Sequence, residues 1–161
     1  MIHELHQAIA WDRTEWAMEV IARGADLTLM NDDGETPLHV ACRHGRLEIV
    51  KEILDRGVGI ESKDRFGNVP LHTACYHERT DIARLLLERG ADLHMTNNIG
   101  GTALHYACYY NALAIVRLLL ELGADVNARD RMYHTPLYYA CRKLHPEVVR
   151  LLFHHGAEVD V

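Results

Sequence analysis

The 161-residue sequence predicts an all-α repeat solenoid, in which two-helix units of 33 residues stack side by side. Three observations carry that prediction. The stretch GETPLHVACRHGRLEIVKEILDRG, Gly34 to Gly57, recurs in steps of 33: Pro37 becomes Pro70, Ala103 and Pro136, and Ala41 becomes Ala74, Ala107 and Ala140. A closing glycine falls at Gly24, Gly57, Gly90, Gly123 and Gly156 without a slip in register. Within each copy, apolar residues recur at three- and four-residue spacing, the period of a helix that buries one face. A fixed period in this range marks a stacked array, whose units bury apolar surface only against their neighbours.

The units span approximately 1–30, 31–63, 64–96, 97–129 and 130–161 and form a single domain. The first lacks a leading hairpin. Trp16, Val20 and Ile21 fall in register with Ile49, Ile53 and Leu54, so it reads as a helix pair closing the N-terminal end. In the second, Asn31-Asp32-Asp33-Gly34 is a turn cluster, Thr36 an N-cap, and Pro37 sits at the first helical position, where its missing N–H is not needed. Leu38, Ala41 and Cys42 form the stripe of a short helix that Arg43-His44-Gly45 breaks. A second helix, about Leu47 to Arg56, turns Ile49, Val50, Ile53 and Leu54 inward and Glu48, Lys51, Glu52 and Asp55 outward, and Gly57 ends it. The later units repeat the plan with inner stripes Ile82/Leu85/Leu86, Ile115/Leu118/Leu119 and Val148/Leu151/Leu152. Residues 157–161 stand where another hairpin would begin and Phe153 keeps the last helix apolar, so a segment of a longer array is expected, an imperfectly capped natural terminus being the alternative.

The tetrapeptides T-P-L-H at 36–39, V-P-L-H at 69–72, T-A-L-H at 102–105 and T-P-L-Y at 135–138, with R-G-A-D-L from Arg23 and L-G-A-D-V-N-A from Leu122, resemble the ankyrin-repeat family. The resemblance covers nearly all of the chain. It implies a helix-turn-helix plus β-hairpin loop per unit and a protein-binding role. Val69 for Thr, Ala103 for Pro, Tyr138 for His and Tyr133 for the hairpin Gly depart from the pattern and are expected to weaken single caps and bonds.

A net charge of −6 with scattered Lys and Arg argues against a phosphate-binding surface, and hence against nucleic acid as partner. No apolar run approaches the ~18 residues that span a bilayer. The N-terminal MIHELHQAIAW has no basic segment followed by an apolar one, so no secretory signal is read there. Cys42, Cys75, Cys108 and Cys141 share one position in successive units. Neighbouring helices lie roughly 8–10 Å apart, whereas a disulfide needs Cα atoms within about 7 Å. They are expected to be reduced, buried small hydrophobes, which suits a cytoplasmic or nuclear setting.

Twelve histidines raise the question of metal. His6, His39, His72 and His105 are tetrapeptide positions, and the resemblance implies that their imidazoles bond to neighbouring backbone and tie units together. No H-E-x-x-H, C-x-x-C, G-x-S-x-G or phosphate-cradling loop occurs. The carboxylates fall on outer helix faces. The chain is expected not to be an enzyme, and to use no metal or cofactor.

By resemblance, partners bind the concave side formed by hairpin tips and first helices. The tips are Asp33, Phe66, Ile99 and Met132. One row on the short helices runs Trp11, His44, His77, Tyr110 and Lys143, and beside it run Arg43, Tyr76, Tyr109 and Arg142. Aromatics and Met at exposed positions are enriched in interface centres; the alternative is ordinary surface hydrophobes, or tyrosines packed on the hairpins. Asp32, Asp33 and Glu35 at one end, against Arg129, Arg131, Arg142 and Lys143 at the other, suggest a partner segment with an apolar centre and its acidic part over units four and five. Asn127, in a sequence like that hydroxylated by an asparaginyl hydroxylase, is a candidate modification site, against an Asn that only holds its loop. The expected function is a monomeric, non-enzymatic protein-interaction module. The alternative is a regulatory or targeting domain excised from a larger enzyme or channel; irregular units argue against an engineered binder.

Overall fold

The computed structural model describes residues 2–159. Met1, and Asp160 and Val161, read above as part of a further hairpin, lie outside them. Helices α1 (Ile2–Ala10), α3 (Pro37–His44), α5 (Pro70–Tyr76), α7 (Ala103–Tyr109) and α9 (Pro136–Arg142) are the first helices of their pairs. The second helices are α2 (Thr14–Ala22), α4 (Leu47–Asp55), α6 (Thr80–Glu88), α8 (Leu113–Glu121) and α10 (Pro146–His154). Each first helix packs on the next first helix, and each second on the next second. One core runs through the stack, and Leu5, Ile21, Leu38, Ile53, Leu71, Leu86, Leu104, Leu119 and Leu152 are fully buried in it. Each such side chain contributes roughly 1.5–3 kcal/mol by leaving water.

Local chemistry sets the helix ends. The Thr36 hydroxyl accepts from His39 N at 3.4 Å and Pro37 follows at the first turn. Val69 has no hydroxyl, and the His72 amide donates to the Val69 carbonyl at 2.9 Å instead, while His72 Nδ1 accepts the Val69 N–H at 3.0 Å. The other ring nitrogens reach carbonyls beyond their own helix pair, three of them in the next unit. His6 Nε2 donates to Glu35 O at 3.2 Å, His39 to Asn68 O at 2.8 Å, His72 to Met95 O at 3.1 Å and His105 to His134 O at 3.1 Å. A carbonyl can only accept, so Nε2 carries the proton and Nδ1 is left to accept. Burial pushes the His39 and His105 pKa values down and that of His72 to about 4, so these rings stay neutral.

Where the sequence predicts β-hairpin loops, no extended strand forms among the described residues. Each loop closes within five residues on two backbone bonds, as from Asp64 N to Asn68 O and from Gly67 N to Asp64 O, both at 3.0 Å, which is too short a turn for a ladder. Successive loops are instead stitched to one another, Asn98 N to Phe66 O and Arg131 N to Ile99 O, both at 3.0 Å. At Gly67 (φ 74°) and Gly100 (φ 78°) a Cβ would lie 3.0 Å from the backbone N of Asn98 and Arg131 respectively. Glycine is required there twice, by backbone angle and by the next loop's approach. Tyr133 holds the same kind of angle, φ 63°, with a full, exposed side chain.

The outer carboxylates are paired with nearby bases: Glu52 with Arg56 at 2.7 Å, Glu147 with Arg150 at 3.1 Å, and Asp55 with Arg89 of the next unit at 2.8 Å. All four cysteines are free, but only Cys42, Cys75 and Cys108 are buried. Cys141, expected to be a core residue, is exposed. Its equivalents lie on helices that a following first helix packs against, and among the described residues α9 has no such neighbour.

Candidate protein-binding face

The loop tips are held by one device in four copies. Asn31, Asp64, Asn97 and Asp130 each turn Oδ1 back to accept two backbone amides of their own loop. From Asp64 these bonds go to Phe66 N at 2.8 Å and Asn68 N at 2.9 Å. The loop satisfies its own amides, so the tip side chains are left outside: Phe66 is 56 % exposed, Ile99 57 % and Met132 71 %, and Asp33 is also exposed.

On the first helices the expected row divides. Trp11, Tyr76, Arg142 and Lys143 are exposed, whereas Arg43, His44 and His77 are half-buried. Tyr109 and Tyr110, expected to be exposed, are half-buried too, because tyrosines of successive units pack on one another. The Tyr76 and Tyr110 rings lie 4.3 Å apart, Tyr109 and Tyr110 4.7 Å, and Tyr109 and Tyr139 5.8 Å. These tilted and edge-on pairings are those aromatic quadrupoles favour. Several charged candidates are also engaged within the chain. Arg43 pairs with Glu35 at 2.8 Å, Arg142 donates to the Tyr138 hydroxyl at 2.8 Å, and the Lys143 ammonium stands 4.3 Å over the Tyr109 ring.

Between the tips and the tyrosines lie two hollows that share Tyr106 as a wall. One, of about 200 Å³, lies beside Phe66, Asp64, His72 and Tyr76. The other, of about 210 Å³, lies between Ile99, Tyr106, Tyr109, Tyr110 and Tyr139, with Asp130 at its edge. Tyr106 and Tyr139 were not among the sequence candidates. They occupy the position of Val40 and Thr73 in earlier units, and that exchange of a small residue for tyrosine was the available signal. Their hydroxyls anchor the loop residues: Asn97 Nδ2 donates to Tyr106 Oη, and Tyr139 donates to Asp130 Oδ2, each at 2.6 Å. Burial opposes the charge of Asp130, yet the Tyr139 hydroxyl and the His134 and Met132 amides hold its pKa below the ordinary carboxylate value. Burial first, then that same carboxylate, raises the Tyr139 pKa, so its hydroxyl stays a donor.

Asn127 lies apart from this face, in the loop after α8. Its amide is used at both ends, Nδ2 donating to Gly156 O at 3.2 Å and Oδ1 accepting from Glu158 N at 2.9 Å. Among the described residues no group of three or more His, Cys, Asp or Glu side chains is arranged to hold a metal ion. No helix there is long and apolar enough to cross a membrane.

A family model described as ankyrin repeats (3 copies) matches this chain over residues 5–97 and 89–161. No curated protein matches it.

Proposed function

The chain belongs to the ankyrin-repeat family, and on that premise we propose that it is a non-enzymatic module binding another protein through its tip-and-first-helix face. Repeats of this family are generally protein-interaction modules. The observation that carries the reading is the run of exposed Phe66, Ile99 and Met132 beside the tyrosine ladder. Apolar side chains held outward by self-satisfied loops serve no packing within the stack, and contiguous exposed apolar surface marks binding sites. The charged ends add polarity, acidic at Asp32 and Asp33 and basic at Arg131, Arg142 and Lys143, and would orient a partner and speed its capture more than tighten it.

Site-specific photo-crosslinking tests this. A benzophenone side chain replacing Phe66 or Ile99 should capture a discrete protein from lysate. The same group at Arg117, exposed on the second-helix side, should not. Equal capture from both sides would remove this face from consideration.

A further inference from the structure

The hollow beside Ile99 differs from its neighbour beside Phe66 in being walled by four tyrosine rings. At about 210 Å³ it is smaller than the roughly 300–1,000 Å³ of sites for drug-sized ligands, and has room for one side chain. Its walls are tyrosine rings, against which an aromatic group gains more than its buried area alone supplies. The carboxylate at its edge makes no demand for a cation: Asp130 Oδ1 already accepts from Met132 N and His134 N, and Oδ2 from the Tyr139 hydroxyl.

Apart from Asp130, the charges on the two segments that form it are basic. Residues 97–112 contain no Asp, Glu, Lys or Arg at all. Residues 129–145 carry Arg129, Arg131, Arg142 and Lys143 against Asp130 alone. Arg131, Arg142 and Lys143 are exposed, and Lys143 already stands over the outer wall at Tyr109. A cationic guest would meet these bases; an anionic flank would be drawn to them.

We propose that this hollow is an anchor pocket for one aromatic side chain of a partner segment whose adjoining residues are acidic. The proposal rests on the protein-binding reading above and narrows it to one guest. The aromatic ring enters between Ile99 and the Tyr106–Tyr139 wall, while carboxylates beside it reach Arg131, Arg142 and Lys143. Neighbouring repeats step by roughly 8–10 Å and an extended chain by about 3.3 Å per residue, so acidic residues within about three positions of the aromatic reach unit five.

The test uses the whole chain and a synthetic probe, a fluorescent peptide of about nine residues centred on Glu-Glu-Trp-Glu-Glu. Controls replace the Trp by Ala, or every Glu by Lys. Fluorescence anisotropy should show the acidic Trp peptide binding at least about tenfold tighter than either control. Amide shifts should centre on Ile99, Tyr110 and Met132. The double variant Arg142→Glu/Lys143→Glu changes only exposed side chains and should invert the preference between acidic and basic peptides. No binding, equal binding of the Ala peptide, or preference of the parent protein for the Lys-flanked peptide would overturn the proposal, the last by showing the tyrosines to be a cation box. Failure of the peptide alongside crosslinks from Phe66 would remove the anchor pocket and leave the face; loss of both would remove the face as well.

Discussion

The Tyr139 hydroxyl lies 2.6 Å from Asp130 Oδ2, so the first helix of the last pair grips the root of its own loop. This bond holds a buried carboxylate ionised at the edge of the anchor hollow. Tyr139→Phe removes the donor while keeping the ring. We predict a loss of about 1.5–3 kcal/mol in urea unfolding, the range for a hydrogen bond to a charged group, and an Asp130 pKa moved up in an NMR titration. Tyr106→Phe frees only a neutral Asn97 amide and should cost about 1 kcal/mol. Equal losses would mean that the Asp130 charge is not what the bond supports.

The histidine ties make stability depend on pH in a fixed direction. In the unfolded chain an imidazole titrates near 6.5, while burial lowers His72 to about 4 and also lowers His39 and His105. Above about 6.5 neither state takes up the proton and the ties are whole. As pH falls toward about 4 the unfolded chain binds protons that the folded chain refuses, and stability drains away. From His72 alone the loss is roughly 3 kcal/mol. Below that, its protonated Nδ1 can no longer accept from Val69 N. Urea midpoints that stay level across this window would contradict the account.

Whatever depended on one unit's own residues was legible in the sequence. Thr36, Pro37, Gly45 and Gly57 act within a few positions of themselves, and α3 and α4 end where those signals place them. Whatever depended on the neighbouring unit was not. Tyr110 owes its half-burial to Tyr76 on the preceding first helix, α5, and Cys141 is exposed because, among the described residues, no first helix packs beyond α9. Counting register located Phe66, Ile99 and Met132 at the tips but could not show which side chains would close a hollow. That depended on rings of two units meeting around one space, as Tyr109 of α7 meets Tyr139 of α9.

The same distinction separates two variants of the binding face. Phe66 is a tip residue, with Arg65 stacked on its ring at 4.9 Å. Phe66→Ala should leave the melting temperature nearly unchanged and weaken partner binding by roughly 1–3 kcal/mol. Tyr109 packs on Tyr110 and Tyr139, so Tyr109→Ala should lower both affinity and stability, the latter by about 1–2 kcal/mol. Calorimetric melts of the two variants beside a binding titration separate the cases, and a Phe66 variant that binds like the parent would place the contact elsewhere.

Thiol chemistry should single out one cysteine. Cys42, Cys75 and Cys108 are buried, and burial pushes their thiols far above the ordinary value, whereas Cys141 is exposed. The thiolate is the reactive species. A chromogenic disulfide reagent should therefore modify Cys141 promptly in the native protein and the other three only on unfolding. Fast release of all four thiols without denaturant would mean that the stack opens far more readily than its core implies.

Of the five non-glycine residues with left-handed backbone, Tyr133 and Leu144 are the two large hydrophobic ones, and neither is compensated by packing. Tyr133 has φ 63° and Leu144 φ 59°, and both side chains are largely exposed, 73 % and 84 %. The equivalents of Tyr133 are Gly34, Gly67 and Gly100, and Gly45 stands where Leu144 does. A left-handed L-residue costs roughly 1–2 kcal/mol, partly returned to the unfolded state when glycine loosens the chain. Tyr133→Gly and Leu144→Gly should each stabilise the protein by about 0.5–1 kcal/mol. Gly67→Ala should do the reverse and by more, since its Cβ would press on the Asn98 backbone as well. Thermal melts decide this: if Tyr133→Gly lowers the midpoint, the ring at the last tip contributes contacts that its exposure does not reveal.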